Sequence, residues 1–209
     1  MYVPKLYSET DDAVIDAHIH ANGFATLVTA AQGEPVATHV PLELIRGPNG
    51  ERVIEGHVSR ANPHWKQLEN GASVLAIFAG PHTYLSSSWY GHENVPTWNY
   101  MVVHAYGTAR IESDPARVRE LLVRLSRHYE PEGAPEPRFD VDRLSPEFYG
   151  KEVRGIVAFT IPVSRIEVAY KLSQNRNPTD HANVIRKLRE RGDENSQAIA
   201  TAMERKASE

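Results

Sequence analysis

The chain has 209 residues, a formal net charge of −4, 41% hydrophobic and 24% charged residues, and no cysteine. That length and balance fit one globular domain, or a domain with a helical tail, and argue against wholesale disorder. Lack of cysteine excludes disulfides, thiolate chemistry and iron–sulfur clusters, and a net acidic chain lacks the charge balance usual for a protein built to grip DNA.

The longest apolar runs, such as residues 73–80, are too short to cross a bilayer. Residues 1–12 carry acids and a proline where a signal peptide needs an apolar core. The expectation is a cytoplasmic protein with no membrane contact.

In chain order, residues 10–20 read as a capped, partly exposed helix, and residues 24–30 as a strand. Gln32-Gly33-Glu34-Pro35 is a turn signal, residues 36–45 alternate as a second strand, and Arg46-Gly47-Pro48-Asn49-Gly50 is a second turn, because Asn-Gly accepts positive φ cheaply. Residues 53–60 make a third strand. Asn62-Pro63 then opens a short helix ending near Gly71, with Asn62 as N-cap and Pro63 in the first helical position. Residues 73–79 and 82–86 read as two strands, and residues 98–111 as one long strand bent near Gly107. Ser113-Asp114-Pro115 caps a helix in which Val118, Leu121, Leu122 and Leu125 recur at helical spacing. Residues 155–161 and 164–170 return to strand, interrupted at Pro162. From Thr179 the pattern is helical, stops at Gly192 and leaves a polar last segment. Short-turn strands with helices set between hairpins predict a mainly β fold, an antiparallel barrel with peripheral helices. Neither common nucleotide-binding glycine fingerprint is present.

Five strings carry possible chemistry. Asp16-Ala17-His18-Ile19-His20 has the His-x-His of metal-dependent hydrolases, but the chain is short for the (β/α)₈ barrel that motif belongs to, so no metal is expected. In Gly56-His57-Val58-Ser59-Arg60-Ala61-Asn62-Pro63-His64-Trp65-Lys66 a strand gives way to a helix start, with Arg60 and Lys66 bracketing the junction. Free N–H groups, the helix dipole and two cations make a phosphate cradle there, while a plain N-cap with solvated basic neighbours explains the same string. The aromatic and hydroxyl-rich residues 80–90 and 95–100 could wall a planar ligand, fill a barrel end or form a dimer contact. Lys171-Leu172-Ser173-Gln174-Asn175-Arg176 follows an apolar strand and suits either a loop or contacts to a polar ligand. The basic cluster Arg186, Lys187, Arg189 and Arg191, interleaved with Leu188 and Glu190, reads as a solvated helix face rather than a DNA contact.

Together these strings resemble the PaiB-type FMN-binding negative transcriptional regulators, within the pyridoxamine-phosphate-oxidase-like split barrels. The match starts at Met1-Tyr2-Val3-Pro4 and runs through Thr38-His39-Val40-Pro41-Leu42, residues 56–65, Trp89-Tyr90, residues 95–100 and residues 171–176. Ser87 stands where a proline is expected, and Tyr7 where phenylalanine is usual. The resemblance implies a six-stranded antiparallel split β-barrel over residues 1–176, a C-terminal helical extension over 177–209, and a homodimer that shares FMN sites. It puts Arg60, Asn62 and Lys66 at the phosphate. It lines the flavin with Thr38, His39, Val40, His57, Val58 and Ser59 from one subunit, and with Trp98, Asn99, Ser173, Gln174, Asn175 and Arg176 from the other. It also implies a regulatory role and through it a DNA partner. A flavin-dependent oxidoreductase and a haem-utilisation protein remain alternatives, and no residue stands out as a catalytic acid or base.

Overall fold

The structure is a computed structural model that describes residues 1–30, 33–130 and 139–207. Its helices are α1 (Asp12–Ala21), α2 (Trp65–Glu69), α3 (Pro115–Tyr129), α4 (Pro146–Val153), α5 (Pro178–Arg191) and α6 (Glu194–Ala207). Its strands are β1 (Phe24–Thr29), β2 (Val36–Arg46), β3 (Arg52–Ser59), β4 (Ser73–Leu85), β5 (Thr97–Thr108), β6 (Arg110–Glu112) and β7 (Ile156–Lys171). The hydrogen-bonded order is β3-β2-β1-β4-β5-β7-β6, and β3 also pairs with β7. Six long strands therefore close on themselves as an antiparallel split barrel with helices around it, and the short β6 lies along β7.

The chain divides into two compact units: Gly23–Ala76 with Ala105–Arg165, and Met1–Asn22 with Ile77–His104 and Ile166–Glu209. In the first unit, β2 serves two partners in turn. Its residues up to Pro41 pair with β1, and from Leu42 onward with β3. Pro41 has no N–H to give a ladder, so the partner changes where a donor is already missing. Leu42 N donates instead to Gly23 O at 2.8 Å. β3 then pairs along β7 from Val53↔Pro162 to Ser59↔Ile156. Gly56 makes this junction possible: a Cβ there would lie 2.7 Å from Leu42 Cδ2, 3.0 Å from Pro41 O and 3.3 Å from Phe159 Cζ. Leu27, Leu42, Ile54, Leu68, Phe159 and Ile161 form the interior, and α3 packs Val118 and Leu121 against Ala158 with Val153 and Ile156 alongside. Each such aliphatic side chain contributes about 1.5–3 kcal/mol by leaving water.

The second unit holds α1, α5 and α6 around Phe78, Leu85, Ile19, Leu172, Leu188 and Ile199. Asp11 caps α1 by accepting from Ala13 N and Val14 N. Asn177 caps α5, and Gly192, at φ +75°, ends it in the left-handed conformation that favours glycine.

Several expectations need correcting. The two strands at 73–79 and 82–86 are one strand, β4, which passes through Gly80-Pro81 unbroken. Likewise β7 runs through Pro162. Proline's fixed φ suits extended backbone, and each proline costs the ladder a single donor, which these long strands tolerate. The strand expected over 98–111 breaks instead, leaving Ala109 between β5 and β6. The bend was expected near Gly107, and a Cβ there would lie 2.4 Å from Pro162 O. The helix expected from Asn62 begins only at Trp65 and has five residues. The polar last segment, part of the stretch expected as a helical extension, forms α6 and buries Ile199, Ala200 and Met203. The Gln32 part of the first predicted turn lies outside the described residues, but Gly33 shows the positive φ, +84°, that a turn requires.

Candidate functional site

The N-terminal half of β2, the end of β3 and the loop after it form one wall of a groove of about 380 Å³. Thr38, His39, Val40, His57, Val58, Ser59 and Asn62 line it, joined by Glu152, Gly155 and Ile156. Seven of the residues expected around the flavin thus meet in one place. β-Strand alternation decides what each presents: Val40 and Val58 are buried, while His39 and Ser59 are exposed. His39 accepts or donates at Nδ1 with Thr26 Oγ1, 3.0 Å away.

Behind the groove lies a chain of hydrogen bonds with a defined direction. Asn62 Oδ1 accepts from His64 N at 3.0 Å, which fixes its amide so that Nδ2 donates to Thr38 Oγ1 at 3.1 Å. At the far end, Thr29 Oγ1 donates to Gln67 Oε1. Between them His64 is 1% exposed, with Nδ1 2.8 Å from Thr38 Oγ1 and Nε2 2.8 Å from Thr29 Oγ1. The Thr29 proton is spent on Gln67, so Thr29 accepts from His64 Nε2–H; His64 Nδ1 then accepts the Thr38 proton. Burial holds the His64 pKa below its ordinary value, in keeping with this neutral tautomer.

His57 completes the groove. Its Nδ1 is buried and has no hydrogen-bond partner among the described residues, and burial lowers its pKa. A buried ring nitrogen left unpaired costs about 1–3 kcal/mol.

The proposed phosphate cations behave differently. Arg60 does not line the groove: Nε donates to Arg154 O and Nη2 to Ile156 O, both at 3.0 Å, and the guanidinium lies 5.8 Å from the Trp65 ring centre. It braces the end of β3 against the start of β7. Lys66 is exposed on α2 and is also outside the lining. With α2 starting at Trp65 and His64 as its N-cap, the helix-terminus part of the cradle does not form as expected.

The residues expected from the second subunit lie in the other unit. Asn99 and Ser173 are buried and bonded to each other, Asn99 Nδ2 to Ser173 Oγ at 3.0 Å, with a further contact from Asn99 Nδ2 to Met203 Sδ at 3.5 Å. Gln174 closes the end of β7, accepting from Leu172 N at 2.7 Å and donating to Tyr170 O at 2.6 Å. Arg176 stacks 4.5 Å from the Tyr90 ring centre. Trp98 and Asn175 are exposed. The basic α5 cluster is occupied as well: Arg186 and Lys187 reach Glu190, Arg189 reaches Glu204 at 2.8 Å, and Arg191 donates to Thr83 Oγ1 at 2.8 Å and Tyr84 O at 3.0 Å.

Sequence reasoning missed His64's role, although His64 sits inside the quoted Asn-Pro-His-Trp string. It also missed Glu152, Gly155 and Ile156, about ninety residues downstream, for which no local signal exists.

Comparison with known proteins identifies the family and the fold. A family model described as "Putative FMN-binding domain" matches residues 1–165. The chain is 42% identical over 206 residues to the protease synthase and sporulation protein PAI 2 of Bacillus subtilis, covering 99% of this chain and 98% of that protein. Among solved structures it resembles the flavocytochrome Anf3 from Azotobacter vinelandii, with a TM-score of 0.64 at 18% identity over 87% of this chain and 78% of that one. It also resembles the FAD and heme binding protein from Mycobacterium smegmatis, with a TM-score of 0.63 at 17% identity over 84% and 78% of the two chains. At those identities the structures speak to the split-barrel fold alone. The family model spans most of the chain and the Bacillus relative aligns end to end, so the chain belongs to the PaiB-type FMN-binding domain family.

Proposed function

We propose that the chain binds FMN in the β2–β3 groove and acts, as a homodimer, as a flavin-dependent regulator of transcription. The observation that carries the FMN reading is the groove itself. It draws Thr38, His39, Val40, His57, Val58, Ser59 and Asn62 together from separate segments and leaves His57 Nδ1 unpaired beside them. When bound, FMN supplies the redox chemistry, and the protein positions and tunes it. Among the lining residues, Ser59 and His57 offer polar groups, and buried Val40 and Val58 offer apolar ones. Exposed Trp98 and Tyr84 on the other unit, whose ring centres lie 6.0 Å apart, support a self-associating surface, since large apolar side chains gathered in water favour a partner. The regulatory role rests on the family resemblance. The basic residues of α5 are engaged within the protein, so any effect on DNA would use another face or another protein.

The test is the absorption spectrum of freshly purified protein, followed by extraction of the chromophore and titration with FMN and riboflavin. Flavin bands, or quenched FMN fluorescence with a raised Tm and FMN preferred to riboflavin, support the reading. An intense Soret band, or no change in either signal at saturating FMN, overturns it. Light scattering at micromolar concentration showing only the 23.4 kDa monomer overturns the dimer. A mobility shift on its own promoter region at stated salt addresses regulation; NAD(P)H turnover without any such shift would favour the oxidoreductase instead.

A further inference from the structure

The relay behind the groove has a consequence for anions. Thr38 gives its only proton to His64 Nδ1 and accepts one from Asn62, so all it retains for a ligand is a lone pair. A phosphate monoester offers acceptors and needs donors. For Thr38 to donate to it, the hydroxyl proton must turn towards the groove, and His64 Nδ1 must then carry a proton of its own to keep the Thr38 bond.

Two rearrangements supply that proton. A shift to the Nδ1–H tautomer would leave Nε2 an acceptor facing Thr29, whose proton is already committed to Gln67. That breaks a buried hydrogen bond, or forces Thr29 and Gln67 to turn as well. Protonating the imidazole instead lets Nδ1 donate to Thr38 and Nε2 to Thr29, with the Thr29–Gln67 bond untouched. Only the Thr38 hydroxyl rotates.

We propose that His64 couples binding of a phosphate monoester at the Thr38–Asn62 end of the groove to uptake of one proton from solution. The proposal rests on the FMN reading, with the FMN phosphate as the monoester. The proton passes from water to His64 Nδ1, and no bond between heavy atoms forms or breaks. The side chains facing His64 are uncharged: Thr29 from β1, Thr38 from β2 and Asn62 from the loop, with Gln67 of α2 beyond Thr29. Of the charged residues on the same elements, Arg46, Arg60, Lys66 and Glu69 are exposed, as is His39 on β2, while buried Glu43 of β2 faces His128 of α3. Burial lowers the pKa of the free imidazole, and an anion placed next to Thr38 is the charge that would draw the proton in. His64 is thus a positioning residue: it acts on the ligand through Thr38. Between the free-state and bound-state pKa of His64, FMN affinity rises up to about tenfold for each unit of falling pH, while riboflavin, which lacks the phosphate, does not follow.

The experiment is calorimetric titration of FMN and of riboflavin in two buffers of different ionisation enthalpy, at about pH 7.5, above the second phosphate pKa of about 6. In wild type, FMN is expected to take up more protons than riboflavin, by up to one per site. His64→Gln abolishes the difference, and Thr38→Val does the same while keeping the imidazole, which covers the case in which His64→Gln fails to fold. Equal uptake for the two flavins in wild type, or a difference that survives in Thr38→Val, overturns the coupling. If neither flavin binds, the FMN reading fails on its own account, and inorganic phosphate titrated against the His64 ring ¹⁵N resonances decides the coupling. Movement towards the doubly protonated imidazolium supports it, and unchanged resonances overturn it.

Discussion

Arg60→Ala separates a brace from a phosphate ligand. The guanidinium holds two carbonyls, Arg154 O and Ile156 O, each at 3.0 Å, while the main-chain bond from Arg60 N to Gly155 O at 2.8 Å survives the substitution. Two exposed hydrogen bonds at the lower part of the usual 0.5–1.5 kcal/mol range, with a weak contact to Trp65, give an expected loss of about 1–2 kcal/mol. For a chain of this size that lowers Tm by roughly 2–8 °C. Gly155 and Ile156 line the groove, so loosening this corner should weaken FMN and riboflavin by similar factors. Thermal melts, with titrations of both flavins, read the two effects side by side. An unchanged Tm with a loss confined to FMN would refute the brace and return Arg60 to the phosphate.

Gly56→Ala should destabilise by about 1–3 kcal/mol in urea unfolding, the usual cost of overpacking, because its Cβ would press on buried Leu42 and the Pro41 carbonyl; an unchanged midpoint would mean that β2 and β3 can separate freely. Arg124→Ala strips buried Glu55 of its two-point partner, at 2.6 and 2.8 Å, and should cost about 2–3 kcal/mol, below the usual range for a broken buried pair because Arg124 is 37% exposed. Adding Glu55→Gln should restore part of that loss. Burial holds His18, His57, His64, His104 and His181 below their ordinary pKa. The unfolded chain therefore binds more protons than the folded one, and stability should be fully present above about pH 6.5 and fall as pH drops below it; a flat urea midpoint between pH 7 and 5 contradicts this. Glu152→Gln removes an exposed negative charge from the groove and should tighten FMN by about 0.2–1 kcal/mol with little effect on riboflavin, as titration would reveal.

Much of the architecture is local and therefore legible in the chain. The run from β1 to β3 follows from alternation and from glycine turns such as Gly50, at φ +81°. α3 follows from the Asp114-Pro115 start, where Asp114 accepts from Ala116 N, and α5 ends at its glycine. Each signal acts over a few residues, through φ preference or a side chain meeting its own backbone. The segments Thr38 to Val40 and His57 to Ser59 came from the family resemblance rather than from any local signal, and they meet in one groove although the first pairs with β1 and the second with β7.

What depended on tertiary structure is whatever joins distant segments. A proline in an isolated strand pattern looks like a stop, yet Pro81 and Pro162 lie within β4 and β7, because neighbouring strands supply enough other pairings to carry one missing donor. The polar-looking chain end becomes α6 only because Ile199, Ala200 and Met203 find an interior to enter. Arg60 reads as a free cation until residues 154 and 156 bring it their carbonyls, and the bond between Asn99 and Ser173 joins residues 74 positions apart. His64 draws its role from Thr29 and Thr38, which lie 35 and 26 residues away. Hydrogen-bond direction is a property of the closed network, and no single stretch of the chain contains it.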